Sequence, residues 1–423
     1  MIIKNISCLA TCAGSCPKIK NNLKDAGIIN NAYIIIKNDK IAEVGSGDEY
    51  KKYLDSNSNI VVIDAEDKTV TPGLVDSHTH VVYAGSREME LPLKLKNVKY
   101  IDILKAGGGI LSTVNSVRKT SLGKIEGETK KRLDTMLLHG TTTVESKSGY
   151  GLDFDNEIKM LQINKNLDRK HPISIISTYL GAHAIPEEFK NNRNGYIDFM
   201  INSVIPYVKE HNLAEFIDCF CEKGVYTAEE ARKILEAGKK VGLKAKIHAD
   251  EVESASAAEL AGEIKAVSAE HLVSASDEGI KSLAQNKVAA VLLPTTSFYL
   301  MLNKFASARK MIEEGVIVAL ATDCNPGTSP TESLQTAMTF ACFGLKMLPE
   351  EIINAMTINA AAAISREKEI GSIEVGKKAD ITIFDAKNLN YLIYHFGVNE
   401  VDMVIKNGTI VVKDGELINT AIK

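Results

Sequence analysis

The central part of the chain alternates between short apolar runs and longer amphipathic stretches. From residue 69 to residue 364 this pattern is typical of βα units around a parallel sheet. Eight apolar runs predict eight strands, at residues 70–82, 141–145, 173–180, 216–220, 244–248, 266–271, 289–293 and 316–322. Amphipathic stretches at residues 125–138, 228–241 and 277–284 predict intervening helices. Eight repeats favour a closed (β/α)8 TIM barrel over an open doubly wound sheet.

The two ends of the chain have a different pattern. Short β-rich runs flank the turn pairs Asn38-Asp39 and Asn407-Gly408, and both pairs tolerate the positive φ of a tight hairpin. A sheet built from either end alone would be too small to be stable. We therefore predict an α/β fold in which residues 1–68 and 366–423 form one small β-sandwich domain. Residues 69–365 would form the barrel.

Composition and charge indicate which kinds of partner the protein can have and which cellular compartment suits it. The 423 residues include 50 Lys and Arg against 54 Asp and Glu, giving a formal charge of −4 with no basic block. We expect no nucleic-acid partner and no membrane partner. The start of the chain lacks a signal pattern and no apolar run reaches about 18 residues, which predicts a cytoplasmic protein. Seven cysteines, an odd number, indicate free thiols in a reducing compartment.

Three of these cysteines, Cys8, Cys12 and Cys16, are evenly spaced near the start of the chain. The spacing has a superficial similarity to an iron–sulfur ligand set. Such a cluster takes four protein ligands, however, and the segment supplies three. We expect reduced structural cysteines here.

Polar residues stand at the ends of six of the eight predicted barrel strands, the first, second, third, fifth, sixth and eighth, and strand ends are where TIM barrels carry their functional side chains. His78 and His80 end the first strand, and residues i and i+2 of a strand face the same side, so both imidazoles should point into the barrel mouth. His248 and Asp323 end the fifth and eighth strands. Three nitrogens and one oxygen suit Zn²⁺ or Fe²⁺ with room for a water. Ca²⁺ and Mg²⁺ prefer shells of oxygen alone.

This ligand set indicates hydrolysis more than redox chemistry, because a water on such a metal loses its proton near neutral pH. Asp323 is the natural acceptor of that proton. Glu251 and His271, at the ends of strands five and six, are candidates for polarising a carbonyl and for protonating a leaving nitrogen. A hydrogen bond to a metal ligand is an equally good interpretation of His271.

Several motifs extend this interpretation to a known family. The segment PGLVDSHTH at residues 72–80 and the closing GKKAD at residues 376–380 resemble the amidohydrolase superfamily. Five more motifs resemble the imidazolonepropionase family within it, namely HVVYAGSR (80–87), AGGGI (106–110), KSGYG (147–151), LGAHA (180–184) and TDCNPGT (322–328). They occur in the family's order, and the resemblance covers nearly the whole chain.

The resemblance implies one divalent metal ion per subunit, Zn²⁺ or Fe²⁺, held by His78, His80, His248 and Asp323. It implies hydrolysis of the cyclic amide of 4-imidazolone-5-propanoate to N-formimidoyl-L-glutamate, a step of histidine degradation, by a homodimer. Glu251 and His271 would assist the attack on the ring carbonyl. The residues implied to bind the substrate are Arg87, which would hold its carboxylate, Tyr150, His183, Glu251, Asn325, Gly327 and Thr328.

Other interpretations stay open at this point. Arg87 could form a surface salt bridge and Tyr150 could be an ordinary loop aromatic. Amidohydrolases with two metals bridge them through a modified lysine on strand four, where Lys223 could serve only if the strand register differs. A nucleobase deaminase would leave Arg87 without a carboxylate to bind, and an inactive scaffold would be expected to lose metal ligands.

The glycine run at residues 107–109 lacks the Gly-Lys-Ser/Thr of a phosphate-binding loop. It predicts a flexible segment near the barrel mouth, and more specifically a lid over the substrate.

Overall fold

A computed structural model describes residues 1–14, 16–54, 60–96 and 108–418. The strands in these ranges are β1 (Ile2–Ile6), β2 (Cys8–Ala10), β3 (Ile28–Ile29), β4 (Ala32–Lys37), β5 (Lys40–Ser46), β6 (Val62–Asp64), β7 (Thr69–Pro72), β8 (Leu74–Thr79), β9 (Thr141–Lys147), β10 (Ser174–Ala182), β11 (Phe216–Cys221), β12 (Lys244–Ala249), β13 (Ser268–His271), β14 (Ala289–Leu292), β15 (Ile317–Leu320), β16 (Ile381–Phe384), β17 (Val401–Lys406), β18 (Thr409–Lys413) and β19 (Glu416–Leu417).

Helices connect most of these strands. The α-helices span Lys51–Leu54, Leu91–Leu95, Ile110–Lys119, Leu122–Leu138, Phe154–Lys170, Arg193–Phe199, Ile205–Glu210, Ala228–Lys240, Ala257–Glu263, Asp277–Asn286, Pro294–Tyr299, Ala308–Glu314, Leu334–Phe343, Pro349–Met356, Ile358–Ala363 and Leu389–Tyr394. Single turns of 3₁₀-helix lie at Lys20–Lys24, Glu88–Glu90 and Glu187–Phe189, and a π-turn lies at Met200–Val204. None of the helices in the described ranges is long and apolar enough to cross a membrane.

The predicted TIM barrel is confirmed. Strands β8 to β15 pair in parallel and in chain order. The first and last strands meet through backbone hydrogen bonds from His80 N to Cys324 O (2.9 Å) and from Asp323 N to His78 O (3.1 Å). Beneath them, the Asp76 carboxylate accepts hydrogen bonds from Thr322 N (3.0 Å) and Thr322 Oγ1 (2.6 Å). The segments that close the barrel therefore also carry three of the four predicted metal ligands.

The first barrel strand begins later than predicted. Residues 70–82 read as one run, but β7 pairs antiparallel with β16 and parallel with β2, so it belongs to the terminal sheet. The chain crosses from that sheet to the barrel at Gly73. A Cβ on Gly73 would lie 2.4 Å from the Thr142 side chain, so that side chain fills the space and position 73 needs glycine.

The two ends of the chain form the predicted β-sandwich. A four-stranded sheet has the order β5-β4-β1-β6, and a seven-stranded sheet of order β19-β18-β17-β16-β7-β2-β3 contains strands from both ends. Buried isoleucines from both sheets, among them Ile34 and Ile381, share one apolar core. The predicted hairpins are present, with positive φ at Asn38, Asn407 and Gly408. The division at residues 68/69 and 365/366 stays a prediction.

The predicted helices are found with small shifts at their ends. Ala228–Lys240 begins at a capping box, in which Thr227 Oγ1 accepts from Glu230 N (3.2 Å) and Glu230 Oε2 accepts from Thr227 N (2.9 Å). All seven cysteines are free thiols; Cys8 and Cys12 are buried, and Cys16 is exposed. The groups of side chains that could hold a metal in the described part of the chain contain no cysteine.

Candidate metal centre and active site

The four predicted metal ligands meet at the carboxyl ends of the barrel strands. Asp323 Oδ1 lies 3.3 Å from His78 Nε2 and 3.5 Å from His80 Nε2. His248 Nε2 lies 3.3 Å from His80 Nε2. All four side chains are buried. Strand alternation places His78 and His80 side by side, and barrel closure brings Asp323 to them.

The state of these imidazoles fits a divalent metal ion. Neither ring nitrogen of His78, nor Nδ1 of His80, makes a hydrogen bond to any described residue. Burial lowers the pKa of both rings well below the usual histidine value, so each ring is neutral at neutral pH and has a lone pair available on one of its two nitrogens. Buried polar atoms are seldom left without partners. A cation among three nitrogens and one carboxylate oxygen would satisfy them, and this donor set suits a transition metal.

Asp323 lies in a dry and constrained environment. Burial raises its pKa to about 6, and Thr296 Oγ1 donates a hydrogen bond of 2.7 Å to its Oδ2. Its backbone has φ of +55°, in the left-handed region. Thr296, at the start of helix Pro294–Tyr299, is a contact that no sequence pattern indicated.

Glu251 and His271 lie beside the ligand cluster. Glu251 Oε2 is 3.7 Å from His271 Nε2, and both side chains are buried. Burial, reinforced by the Asp323 carboxylate, raises the pKa of Glu251 well above its usual range. Burial also lowers the pKa of His271. A carboxylic acid that keeps its proton near neutral pH can act as a proton donor.

The backbone that carries Glu251 is held by Glu222, which the sequence analysis did not single out. The Glu222 carboxylate accepts hydrogen bonds from the backbone N–H of Glu251 (2.8 Å), Val252 (3.1 Å) and Glu253 (2.9 Å). One buried side chain at the end of β11 therefore sets the path of the loop that follows β12.

Tyr150 and His183 form one wall of the cluster. The His183 ring is stacked on His80, with ring centroids 5.0 Å apart and planes at 14°. Its Nδ1 lies 3.0 Å from the Gly149 carbonyl oxygen, which assigns a proton to Nδ1. The Tyr150 ring is 5.1 Å from His183 and 5.8 Å from His80. Tyr150 is 2% exposed, so it is a buried wall residue rather than an ordinary loop aromatic.

Arg87 forms a buried ion pair rather than a surface salt bridge. Its Nε and Nη2 donate to the two carboxylate oxygens of Glu90 at 2.8 and 2.9 Å. Glu90 Oε1 also accepts from the backbone N–H of Gly109 (2.7 Å), and Lys94 Nζ lies 3.7 Å from Oε2. The predicted lid at residues 107–109 is described only from Gly108 onward, because Gly107 lies outside the described residues.

The loop after the eighth strand packs against Arg87. Asn325 Oδ1 accepts from the backbone N–H of Gly327 and Thr328, both at 2.8 Å, so the Asn325 side chain shapes the loop. A Cβ on Gly327 would lie 2.0 Å from Arg87 Nη1. The guanidinium group therefore occupies the space that any larger residue at position 327 would need.

Two buried residues of the barrel interior lie next to the ligand cluster: Asp218 contacts His248 directly, and Lys147 contacts Asp218. Asp218 Oδ2 is 2.9 Å from His248 Nδ1 and 2.8 Å from Lys147 Nζ. Asp218 is a charged residue inside the predicted strand run 216–220, which was an available sequence signal, whereas Lys147 follows the predicted run 141–145. Lys223, the lysine considered as a bridge between two metals, is 70% exposed and pairs with Glu253 instead.

Comparison with known proteins places this geometry in a family. A model of the amidohydrolase family matches residues 220–411. The chain is 54% identical over 417 residues to the imidazolonepropionase of Alkaliphilus oremlandii strain OhILAs, covering 98% of this chain and 99% of that protein. It is 52% identical over 420 residues to the imidazolonepropionase of Geobacillus sp. strain WCH70, covering 99% of each.

Solved structures share the fold at low identity. An atrazine chlorohydrolase mutant from Arthrobacter aurescens TC1, complexed with zinc and atraton, aligns with a TM-score of 0.74 and 16% identity over 99% of this chain and 96% of that one. An adenosine deaminase from Xanthomonas campestris with bound zinc aligns with a TM-score of 0.69 and 16% identity over 99% and 94%. These likenesses establish the fold. Identity above one half along the entire length is far more specific, and on that ground the chain belongs to the imidazolonepropionase family of amidohydrolases.

Proposed function

We propose that this protein hydrolyses 4-imidazolone-5-propanoate to N-formimidoyl-L-glutamate in histidine degradation. The observation that carries the proposal is the convergence of His78, His80, His248 and Asp323 at one barrel mouth. That mouth belongs to a chain sharing about half its residues with imidazolonepropionases over its whole length.

Each residue of the site has a separate role in hydrolysing the cyclic amide. His78, His80, His248 and Asp323 would hold the divalent ion, which when bound lowers the pKa of a water so that it becomes a nucleophile near neutral pH. Asp323, whose pKa burial raises to about 6, accepts a proton from the attacking water. Glu251 donates a proton to the leaving ring nitrogen, and His271 donates a hydrogen bond to the ring carbonyl oxygen.

Arg87 would bind the carboxylate of the substrate. Its planar guanidinium group suits two-pronged recognition of a carboxylate, and Glu90 keeps the group in place. Tyr150 and His183 bound the ring on one side. Asn325, Gly327 and Thr328 bound it on the other, in a loop that the Asn325 side chain shapes.

We predict that Gly327→Ala weakens substrate binding. The new methyl group would lie within 2.0 Å of Arg87 Nη1 and displace the guanidinium group, so KM should rise by about tenfold or more, since losing one charge-assisted hydrogen bond costs roughly 1.5–3 kcal/mol. Steady-state kinetics measure the effect. Gly127→Ala, on an exposed helix face with open space around it, is the matched control and should leave KM unchanged. An unchanged KM in Gly327→Ala would contradict the role given to Arg87.

We further propose one ion per subunit, Zn²⁺ or Fe²⁺. The nitrogen and carboxylate donors accept both metals, and the zinc in structures of the same fold favours zinc. Metal analysis of protein purified without chelators should give about one ion per chain. A ratio near two would favour the two-metal alternative. Absence of a transition metal would favour the inactive scaffold.

The cytoplasmic location and the homodimer are also proposals. Seven free cysteines support a reducing compartment, and the family resemblance supports the dimer. Light scattering after size-exclusion chromatography should give a mass near twice the 46.0 kDa of one chain. A mass of one chain would contradict the dimer.

The test of function is turnover of the substrate, generated in place from urocanate by a coupled urocanase. We expect loss of the ultraviolet absorbance of the imidazolone and appearance of N-formimidoyl-L-glutamate. Release of ammonia from a heterocycle instead would identify a deaminase. If folded, metal-loaded protein does not turn the substrate over, the proposed substrate is wrong and another cyclic amide or amidine must be sought.

A further inference from the structure

A layer of buried charges lies inside the barrel beneath the ligand cluster. TIM-barrel interiors are usually filled by branched apolar side chains. Here five charged residues with no exposed surface occupy β9, β11, β12 and β13, namely Glu145, Lys147, Asp218, Lys246 and Glu270. An unpaired buried charge costs free energy of folding, so we expect each of these side chains to lie beside a partner of opposite charge.

The layer consists of two neighbouring groups, each centred on a lysine. Lys147 Nζ lies 2.8 Å from Glu145 Oε1 and 2.8 Å from Asp218 Oδ2. Lys246 Nζ lies 3.2 Å from Glu270 Oε1 and donates to Ser268 Oγ and to a backbone carbonyl. The Lys147 group contacts a metal-ligand candidate through Asp218.

Asp218 holds His248 at two places. Its Oδ1 accepts from the backbone N–H of His248 (3.1 Å) and of Cys219 (2.7 Å). Its Oδ2 lies 2.9 Å from His248 Nδ1. A carboxylate at Nδ1 keeps the proton there, which leaves a lone pair on Nε2, the nitrogen that faces His80.

We propose that Asp218, fixed by Lys147, is the positioning residue that holds His248 in the tautomer and orientation needed to bind the metal. The inference rests on the proposed metal site of this enzyme and deepens it. The Lys147 ammonium group lies 2.8 Å from Oδ2 while two backbone N–H groups donate to Oδ1, so turning the Asp218 carboxylate away would break these contacts. The layer contains three carboxylates and two lysines, and Asp218 connects it to His248.

The contacts of Asp218 predict what Asp218→Asn does. Two backbone N–H groups face Oδ1, so the amide oxygen must take that position. The amide NH₂ then takes the position of Oδ2 and faces His248 Nδ1. There it donates a hydrogen bond, which favours the tautomer with the imidazole proton on Nε2 and so weakens metal binding. Loss of such a partner lowers metal affinity by about 10- to 100-fold.

The experiment compares zinc affinity in three metal-free proteins, the wild type, Asp218→Asn and Lys246→Met, by competition with a chromophoric chelator. Lys246 is the matched control, because it is a buried lysine of the same layer whose polar partners in the described structure are Glu270, Ser268 and Ala363. We expect zinc affinity about 10- to 100-fold weaker in Asp218→Asn. Lys246→Met should lower Tm and bind zinc as the wild type does.

Two outcomes would overturn the proposal. One is wild-type zinc affinity in Asp218→Asn, and the other is an equal loss of affinity in Lys246→Met, which would mean that affinity follows general destabilisation. Zinc binding is measured without substrate, so failure to turn over 4-imidazolone-5-propanoate does not affect the result. A wild-type protein that binds no zinc would instead contradict the metal site itself.

A second measurement needs no substitution at Asp218. In metal-free wild-type protein labelled with ¹⁵N-histidine, ring nitrogen shifts distinguish the two tautomers, and the signals missing in His248→Ala identify His248. We expect a proton on Nδ1 of His248. A proton on Nε2 would overturn the proposal even if Asp218→Asn fails to fold.

Discussion

His248→Ala is expected to abolish both metal binding and turnover. His248 supplies one of three imidazole nitrogens at the barrel mouth, and its loss leaves Asp323 and two histidines, which do not complete the ligand set. A bound metal contributes several kcal/mol to the transition state, and a loss of about 4 kcal/mol corresponds to about 10³-fold in rate. Metal analysis and turnover measured on the same preparation test the two effects together.

A buried histidine outside the site provides the control for this substitution. His171 is 6% exposed, lies 3.1 Å from Asp134 through Nε2, and accepts a backbone hydrogen bond at Nδ1. His171→Ala should lower Tm and leave the metal content near that of the wild type. Full metal content in His248→Ala, or equal metal loss in both variants, would contradict the assignment of His248 as a ligand.

The second large effect is expected from Glu251→Gln, with the metal retained. Glutamine keeps the shape of the side chain but cannot exchange a proton, and general acid–base groups contribute about 10²- to 10⁴-fold to rates. We therefore expect kcat to fall by that factor while metal content and Tm stay close to those of the wild type. Loss of turnover without loss of metal separates an acid–base residue from a ligand.

The same loop offers a matched control. Glu253 follows two residues later, is exposed, and pairs with Lys223 at the surface. Glu253→Gln should leave kcat unchanged. Retention of wild-type kcat in Glu251→Gln would contradict the role of Glu251 as proton donor. His271 would then be the donor, and His271→Asn should show the larger fall in kcat.

The direction of the Glu251 pKa shift predicts the pH profile. As a general acid Glu251 works protonated, so activity is present below its pKa and is lost as pH rises through it. Burial, together with the Asp323 carboxylate, raises that pKa above the usual glutamate range, which moves this loss toward higher pH. The residual activity of Glu251→Gln should lack this alkaline limb.

Short patterns in the sequence predicted the barrel, the residues at its strand ends and the candidate ligand set. His78 and His80 could be placed on one face because side chains of a strand alternate, and the hairpin at Asn407-Gly408 could be placed because its residues tolerate positive φ. The placement of His78 beside His80 and the hairpin at Asn407-Gly408 each concern residues close together in the chain, where backbone geometry alone sets the relation between side chains.

Only the tertiary structure showed which distant residues pack against the candidate metal ligands and hold them in place. The bonds from Thr322 to Asp76 join residues 246 apart in sequence, and the Lys147–Asp218–His248 contacts depend on the register of three strands. The Arg87–Glu90 pair is local, yet its burial follows from the loop at Gly327 packing over it. Sequence spacing carries no information on strand register or packing between distant elements, because these follow from the way the whole core fits together.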